Sequence, residues 1–314
     1  MNAITEAWSK ATNAQELIKP NTQSHIKRLN EKALIACLKM GAPSFSRRDK
    51  AAEQHVQDQF ADESLTVRSR IFKNPSNPVY KFMSQWRAVY TYHVNSTYPS
   101  NETGQRILAV HALEEYRRVL GDMIEEVNRA KTKLLPMYDN AVQMDIQDRT
   151  QKSQSLGKQS DVSITDYPTA SQFEQSVYMQ LRLLPMPDRA HFLFDVSQDD
   201  INALDDYIRE VESTIRVEIV KRLLDPVGKL VAKISIPLED QSRFHASTVT
   251  NVIDAVEAFK KFNVDKDPQL TQMVEELDRE VKRYSIDYLK ESPTARASAR
   301  TNLDAIASKM AAFM

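Results

Sequence analysis

Only five of the 314 residues are glycine, so few positions can take the left-handed or sharply turned backbone that glycine alone adopts cheaply. Turn-dense all-β architectures fit such a chain poorly. Its abundance of Ala, Gln, Glu, Lys, Arg and Met points instead to helix. Cysteine is rarer still: Cys37 is the single one, which rules out an intrachain disulfide and a cysteine zinc cluster and fits a reducing compartment. It stands among apolar neighbours in "KALIACLKM" with no nearby histidine to activate a thiolate, so it reads as a small packing residue. No apolar run reaches eighteen residues, and "MNAITEAWSKATNAQE" is too polar for the hydrophobic segment of a signal peptide. A cytoplasmic protein without a membrane partner is expected.

Chemistry-bearing motifs are equally sparse. The sequence has no glycine-rich phosphate loop, no dinucleotide fingerprint and no His-Glu-x-x-His pair. His25, His55, His93, His111, His191 and His245 are widely spread. The doublets Asp199-Asp200 and Asp205-Asp206 read as a helix start and a solvated face, since negative charge favours a helix N-terminus. His191 and Asp195 would share one face of a short strand over 190–196, but two groups do not make a metal shell. No catalytic residue, cofactor or metal is assigned, and the chain is expected not to be an enzyme.

What is present is helical periodicity and enough apolar content, 41%, for one large or two modest cores. Ile26, Leu29, Ala33, Cys37 and Met40 predict a helix over 24–40 ended by Gly41 and Pro43. Ser46 and Asp49 resemble a capping box before a helix with Ala52, Val56 and Phe60 on one face. "LTVRSRI", residues 65–71, alternates like a short strand. Leu113, Tyr116, Leu120, Met123, Val127, Ala130, Leu134, Met137, Ala141 and Met144 recur by threes and fours, as in a coiled-coil seam, within a long helix over 104–147 that Pro136 should kink or break. The polar stretch 148–166 loses the period and reads as a linker or exposed loop. "YPTASQFEQSVYMQLRLLPMPD", residues 167–188, predicts a capped helix with Phe173, Val177, Leu181 and Leu184 on one face. Four further apolar stripes follow, the first carrying Pro226.

These elements predict a mainly α fold, a long-helix bundle with coiled-coil-like arms and at most a few short strands. They divide it into an N-terminal helical unit over 1–147, the linker 148–166 and a C-terminal unit over 167–314. Net charge is −1 but uneven: fourteen Lys or Arg against eight Asp or Glu in residues 1–100, and eleven against sixteen in 101–200. In the basic part, "VYKFMSQWRAVYTYHV" interleaves aromatic and cationic side chains. Phe82, Trp86 and Val89 follow a core face. Lys81, Trp86, Arg87 and Tyr90 are candidates for a partner or single-stranded nucleic-acid surface. Tyr178 and Arg182, four apart on the predicted 167–188 helix, are a second candidate contact pair.

The ordered set "DKAAEQHVQDQF", "NPVYKFMSQWRAVY", "YPSNETGQRIL", the helix ending "LLPMYD" and "YPTASQFEQSVYMQLRLLPMP" resembles a family of uncharacterised phage and bacterial helical proteins, over about residues 45–235. Members of that family are often encoded near an AAA+ ATPase and a protein with a von Willebrand factor A-like domain. The resemblance implies an accessory or adaptor role in an ATP-driven assembly, in the host cytoplasm if the chain is phage-encoded, and supplies no catalytic residues. The expectation is a non-enzymatic scaffold or adaptor with a protein partner or a second copy of itself. The alternative is a single-stranded nucleic-acid-associated protein using the basic, aromatic N-terminal half.

Overall fold

Helices form where a three-and-four apolar period meets a side chain able to cap the first free amides. A computed structural model describes residues 29, 31–157, 162–187, 197–237, 245–263 and 267–312. Among them the chain is mainly helical, with a minority of antiparallel strands. The strands are β1 (Ala33–Gly41), β2 (Ser46–Arg48), β3 (Arg68–Arg70), β4 (Tyr98–Pro99), β5 (Arg106–Ala109) and β6 (Tyr178–Pro185). The helices in the first half are α1 (Lys50–Phe60), α2 (Pro78–Asn95), α3 (Leu113–Leu134), α4 (Tyr138–Ser155) and α5 (Ala170–Ser176). Those in the second half are α6 (Gln198–Ile234), α7 (Ser247–Phe262), α8 (Pro268–Arg283), α9 (Ile286–Glu291) and α10 (Pro293–Ala311).

The chain divides into two compact units. Unit 2 comprises Leu38–His93 and Tyr116–Arg182; unit 1 takes the described residues up to Cys37, Val94–Glu115 and those from Leu183 onward. The crossings fall inside β1, α2, α3 and β6, not at the polar stretch 148–166. Of that stretch, α4 takes the first part, through Ser155, and Ile164–Asp166 closes a 3₁₀ turn capped by Ser163.

In unit 2, Asp49 caps α1, its Oδ1 accepting from the Ala52 amide at 3.2 Å. The expected Ser46 cap is displaced because Ser46 belongs to β2. Pairing of β2 with β3 is antiparallel, in register Ser46↔Arg70, Arg47↔Ser69 and Arg48↔Arg68. Of the strand expected over 65–71, only Arg68–Arg70, in its second half, pairs as β3. Asn77 starts α2, its Oδ1 accepting from the Val79 amide while its Nδ2 donates to the Ala141 carbonyl. Pro136 breaks the long helix as expected: a 3₁₀ turn over Leu135–Met137 joins α3 to α4. That tighter turn rotates the following helix, so the buried row continues as Tyr138, Ala141, Val142 and Asp145. Met137 and Met144, expected in the seam, are exposed. Thr169 and Gln172 form the reciprocal capping box of α5.

The core of unit 2 is aromatic. Phe173 is fully buried, its ring stacked on Tyr138 at 4.9 Å and edge-on to Phe82 at 5.4 Å. Phe72 packs edge-on against Phe45 at 5.4 Å and Tyr167 at 5.2 Å. Three regions read as helix are strands, one of them Arg106–Ala109, which forms β5 at the start of the helix expected over 104–147, so that α3 begins only at Leu113. Residues 33–41 form β1, whose inner positions carry apolar side chains on both faces, so no alternation betrays it. The helix expected to run to Leu184 ends at Ser176, and β6 follows. Gly41 is required where it stands, because a Cβ there would lie 2.8 Å from the Ser176 carbonyl oxygen.

In unit 1, β4 pairs with β5, and β5 pairs antiparallel with Ala33–Ala36 of β1. Beside them, α6 touches β4, and α6, α7, α8 and α10 close a ring of contacts, α6 touching α7 and α10, and α8 touching the same two helices. The C-terminal stripes bury largely as expected: Ile208, Val211, Ile215, Leu223, Val227, Leu230 and Ile234 on α6; Val252 and Val256 on α7; Leu270, Val274, Leu277 and Val281 on α8; Leu303, Ile306 and Met310 on α10. Tyr288, expected to continue the α8 stripe, lies instead on α9 and is exposed, because α8 ends at Arg283. Each such side chain contributes about 1.5–3 kcal/mol relative to exposure, which outweighs the surface ion pairs among these helices. Pro226 lies within α6, which continues through it. The strand expected over 190–196 and the terminal Phe313 lie outside the described residues.

Candidate functional site

Several buried polar side chains in each unit bond backbone groups. In unit 2, Asp145 is 2% exposed, and its Oδ2 accepts from the Phe72 amide at 2.9 Å, Arg149 Nε at 2.8 Å and the Tyr167 hydroxyl at 2.8 Å. Phe72 has φ 53°, a left-handed conformation costly for a side chain of its size. The carboxylate and the ring cluster hold it there. Burial first, and then the Asp145 carboxylate, push the Tyr167 hydroxyl well above its ordinary range.

In unit 1, Arg222 donates to the carbonyls of Asn95, Val94 and Thr97 at 2.8–3.0 Å. Its guanidinium lies 5.0 Å from the Tyr98 ring centroid and its Nε bonds Glu218. Arg106 donates to Val94 and Thr97 as well. Cations at the carbonyl end of a helix are favoured by its dipole. Arg296 is nearly buried, donating to the Leu289 and Ile236 carbonyls, and burial lowers its pKa. These are fold-holding contacts.

The ribbon β2–β3 presents Ser46, Arg48, Arg68 and Arg70 to solvent or near it, while Arg47 turns inward beside Asp49 and Asp166. Arg48 is directly opposite Arg68. Glu53 offsets Arg48, its carboxylate accepting from Arg48 Nε at 2.7 and 3.0 Å and from the Val67 amide at 3.3 Å. Those bonds, the Arg48 contact foremost, hold the Glu53 carboxyl below the usual carboxylate range against the opposing pull of burial. A carboxyl depressed in this way stabilises the fold above its unfolded-state value, and the contribution is lost as pH falls through the folded value. Arg48→Gln is therefore expected to raise the Glu53 titration midpoint toward its unfolded-state value and to shrink the stability that this carboxyl contributes at neutral pH and loses in acid. Carboxyl carbon NMR across an acid titration measures the midpoint; an unmoved midpoint would contradict this coupling.

The candidates named from sequence also lie in unit 2. On α2, Lys81, Arg87 and Tyr90 are exposed. Trp86 is half-buried toward the face of Phe82 and Val89, and its indole N–H has no acceptor among the described residues. Tyr178 and Arg182 share a face of β6 rather than of a helix; they are exposed together with Gln180, while Met179 and Leu181 on the opposite face are half-buried. Arg182 reaches Gln180 Oε1 at 3.5 Å. The entry to this strand is fixed by Lys131 of α3, whose ammonium donates to the Glu174 and Val177 carbonyls. Among the described residues, no hydrogen bond or ion pair joins any two of Lys81, Trp86, Arg87, Tyr90, Tyr178 and Arg182.

Sequence reasoning did not single out Arg48, Arg68, Arg70 or Asp145. The arginine-rich "SRR" and "RSR" were visible, but their pairing across 22 residues is tertiary.

Two concavities in unit 1 offer no reactive arrangement. The larger, about 750 Å³, is an open groove between α8 and α10. Its charges neutralise one another, as in Lys309–Glu276 at 3.1 Å and Lys282–Asp278 at 2.8 Å. The smaller, about 370 Å³, is lined by Pro226, Ala232, Ile236, Thr248 and two lysines among others. No three His, Cys, Asp or Glu side chains gather as a metal-ligand set among the described residues, and no described helix is long and apolar enough to cross a membrane. Comparison with protein-family models, curated proteins and solved structures gives no match.

Proposed function

We propose that this chain is a non-enzymatic scaffold or adaptor that binds a protein partner or a second copy of itself. The observation that carries the reading is the outward face of β6, where Tyr178 is 54% exposed and alternates with Gln180 and Arg182 on a strand anchored by Lys131. Tyr and Arg are among the side chains that most often dominate interface energetics, Tyr because it covers a large area at modest entropic cost and Arg because its fork makes several hydrogen bonds. Asp145, Arg222 and Arg296 are, by contrast, engaged by contacts within the fold.

The finer architecture belongs to the same proposal: a long-helix bundle with coiled-coil-like arms, to which α3 and α4 contribute one arm and the 37-residue α6 a long rod of about 55 Å. So does the setting implied by the family resemblance, a phage-associated assembly driven by an AAA+ ATPase in the host cytoplasm. Native mass spectrometry of the chain co-expressed with its genomic neighbours tests the reading. A stoichiometric complex is expected, weakened about 10- to 100-fold by Tyr178→Ala with Arg182→Ala. A chain that stays monomeric with every neighbour, or a complex indifferent to both substitutions, would overturn it.

A further inference from the structure

The β2–β3 ribbon sets two positive charges beside one residue and gives neither a counter-ion. Arg68 reaches across the strands to Ser46, donating from Nε to Oγ at 3.1 Å and from Nη2 to the carbonyl at 3.1 Å. Arg70 is directly opposite the same Ser46. No carboxylate lies within ion-pair distance of Arg68 or Arg70 among the described residues. Arg48, opposite Arg68, has its own acid in Glu53. The carboxylates around the ribbon are already occupied: Asp49 caps α1, Asp166 caps the 3₁₀ turn and faces Arg47, and Asp145 holds Phe72, Arg149 and Tyr167. Arg68 and Arg70 are like charges on successive same-face positions of β3, which repel, and an anion between them removes that cost.

We infer that Arg68 and Arg70, with the Ser46 hydroxyl beside Arg68, bind the phosphodiester backbone of a nucleic acid. The guanidinium fork matches a phosphate bidentately. Same-face residues along a strand stand about 6.8 Å apart, so the two arginines can meet a single phosphate or successive ones. The ribbon face consists of Ser46, Arg48, Arg68 and Arg70 and carries no aromatic or aliphatic side chain. Insertion into lipid and the apolar centre of a protein interface both need one, and this face has no aromatic platform of the kind on which single-stranded bases stack. Backbone contact without sequence preference is what remains. This inference goes beyond the adaptor reading and does not rest on it.

Fluorescence anisotropy with a labelled single-stranded oligonucleotide and its duplex, over a salt series, tests it. Two phosphate contacts give a slope of log affinity on log salt of about −1.4 for the single strand and −1.8 for the duplex, a loss of about 7- to 12-fold from 50 to 200 mM salt. Arg68→Gln with Arg70→Gln should flatten the slope to near zero, whereas Arg68→Lys with Arg70→Lys should retain it. Circular dichroism melting confirms that both variants fold; if the glutamine pair does not, Arg70→Gln alone should halve the slope. No binding at 50 mM salt, or a slope unchanged by the glutamine pair, would sink the proposal. Inorganic phosphate competing as well as an oligonucleotide of equal phosphate concentration would assign the site to a small anion and overturn it too.

Discussion

Asp145→Ala is expected to destabilise unit 2 by about 3–5 kcal/mol, the usual cost of removing one partner from a buried charge pair. Asp145 is 2% exposed and three donors converge on one of its oxygens. Without it the Phe72 amide and the Tyr167 hydroxyl lose their acceptor in the interior, and the Arg149 guanidinium loses its neutralising charge. Among the described residues, Arg149 keeps only its bond to the Arg70 carbonyl. The left-handed Phe72 backbone loses the contact that offsets its steric cost. Asp145→Asn, which keeps an acceptor but no charge, should cost less. Urea unfolding followed by Trp86 fluorescence in a Trp8→Phe background reads the loss, and a change below about 1 kcal/mol would mean that the node does not bear on stability.

Phe173→Ala should cost a similar amount, about 3–5 kcal/mol, through lost transfer energy and the cavity left behind. The ring is wholly buried and meets Phe45, Phe82 and Tyr138 at once, so no neighbour can close the space without surrendering a contact of its own. Phe173→Leu fills part of it and should recover more than half the loss. Phe72 also touches Tyr138 and Tyr167, so the cavity and the Asp145 change share partners and should combine non-additively. The same unfolding measurement on the single and double variants checks this. Full additivity, or a loss for Phe173→Ala under about 1.5 kcal/mol, would contradict the described packing.

How far these features were legible from sequence depends on whether local spacing or tertiary pairing sets them. The buried stripes of α6, α7, α8 and α10, the break at Pro136 and the Thr169–Gln172 cap all follow from residues within one or two turns of each other. β1 was misread because Ala33, Cys37 and Met40 happen to fit a helical period while both faces of the strand are apolar inside; a doubly covered strand carries no period of two. In β6 the alternation of Met179 and Leu181 was present, but Phe173, Val177, Leu181 and Leu184 offered a competing spacing of four. The re-phasing that exposes Met137 and Met144 comes from the 3₁₀ geometry at Leu135–Met137, which the presence of proline predicts as a break but not as a rotation. Asp145 looked like one more acid on a polar helix, because its donors Phe72 and Tyr167 stand 73 and 22 residues away.

The interleaving of the two units along the chain fixes an order of events during synthesis. Every residue of unit 2 lies before Leu183, so a ribosome has delivered all its strands, helices and ring cluster before α6 begins to emerge. Domains fold largely as their parts leave the exit tunnel. Unit 1 has no such opportunity: β4, β5 and its part of β1 are made early, whereas α6 to α10 come last. The Thr97 carbonyl is made 125 residues before Arg222, the side chain that will bond it. For that interval the early strands of unit 1 are nascent chain without their helical cover, and the arrival of α6 completes them.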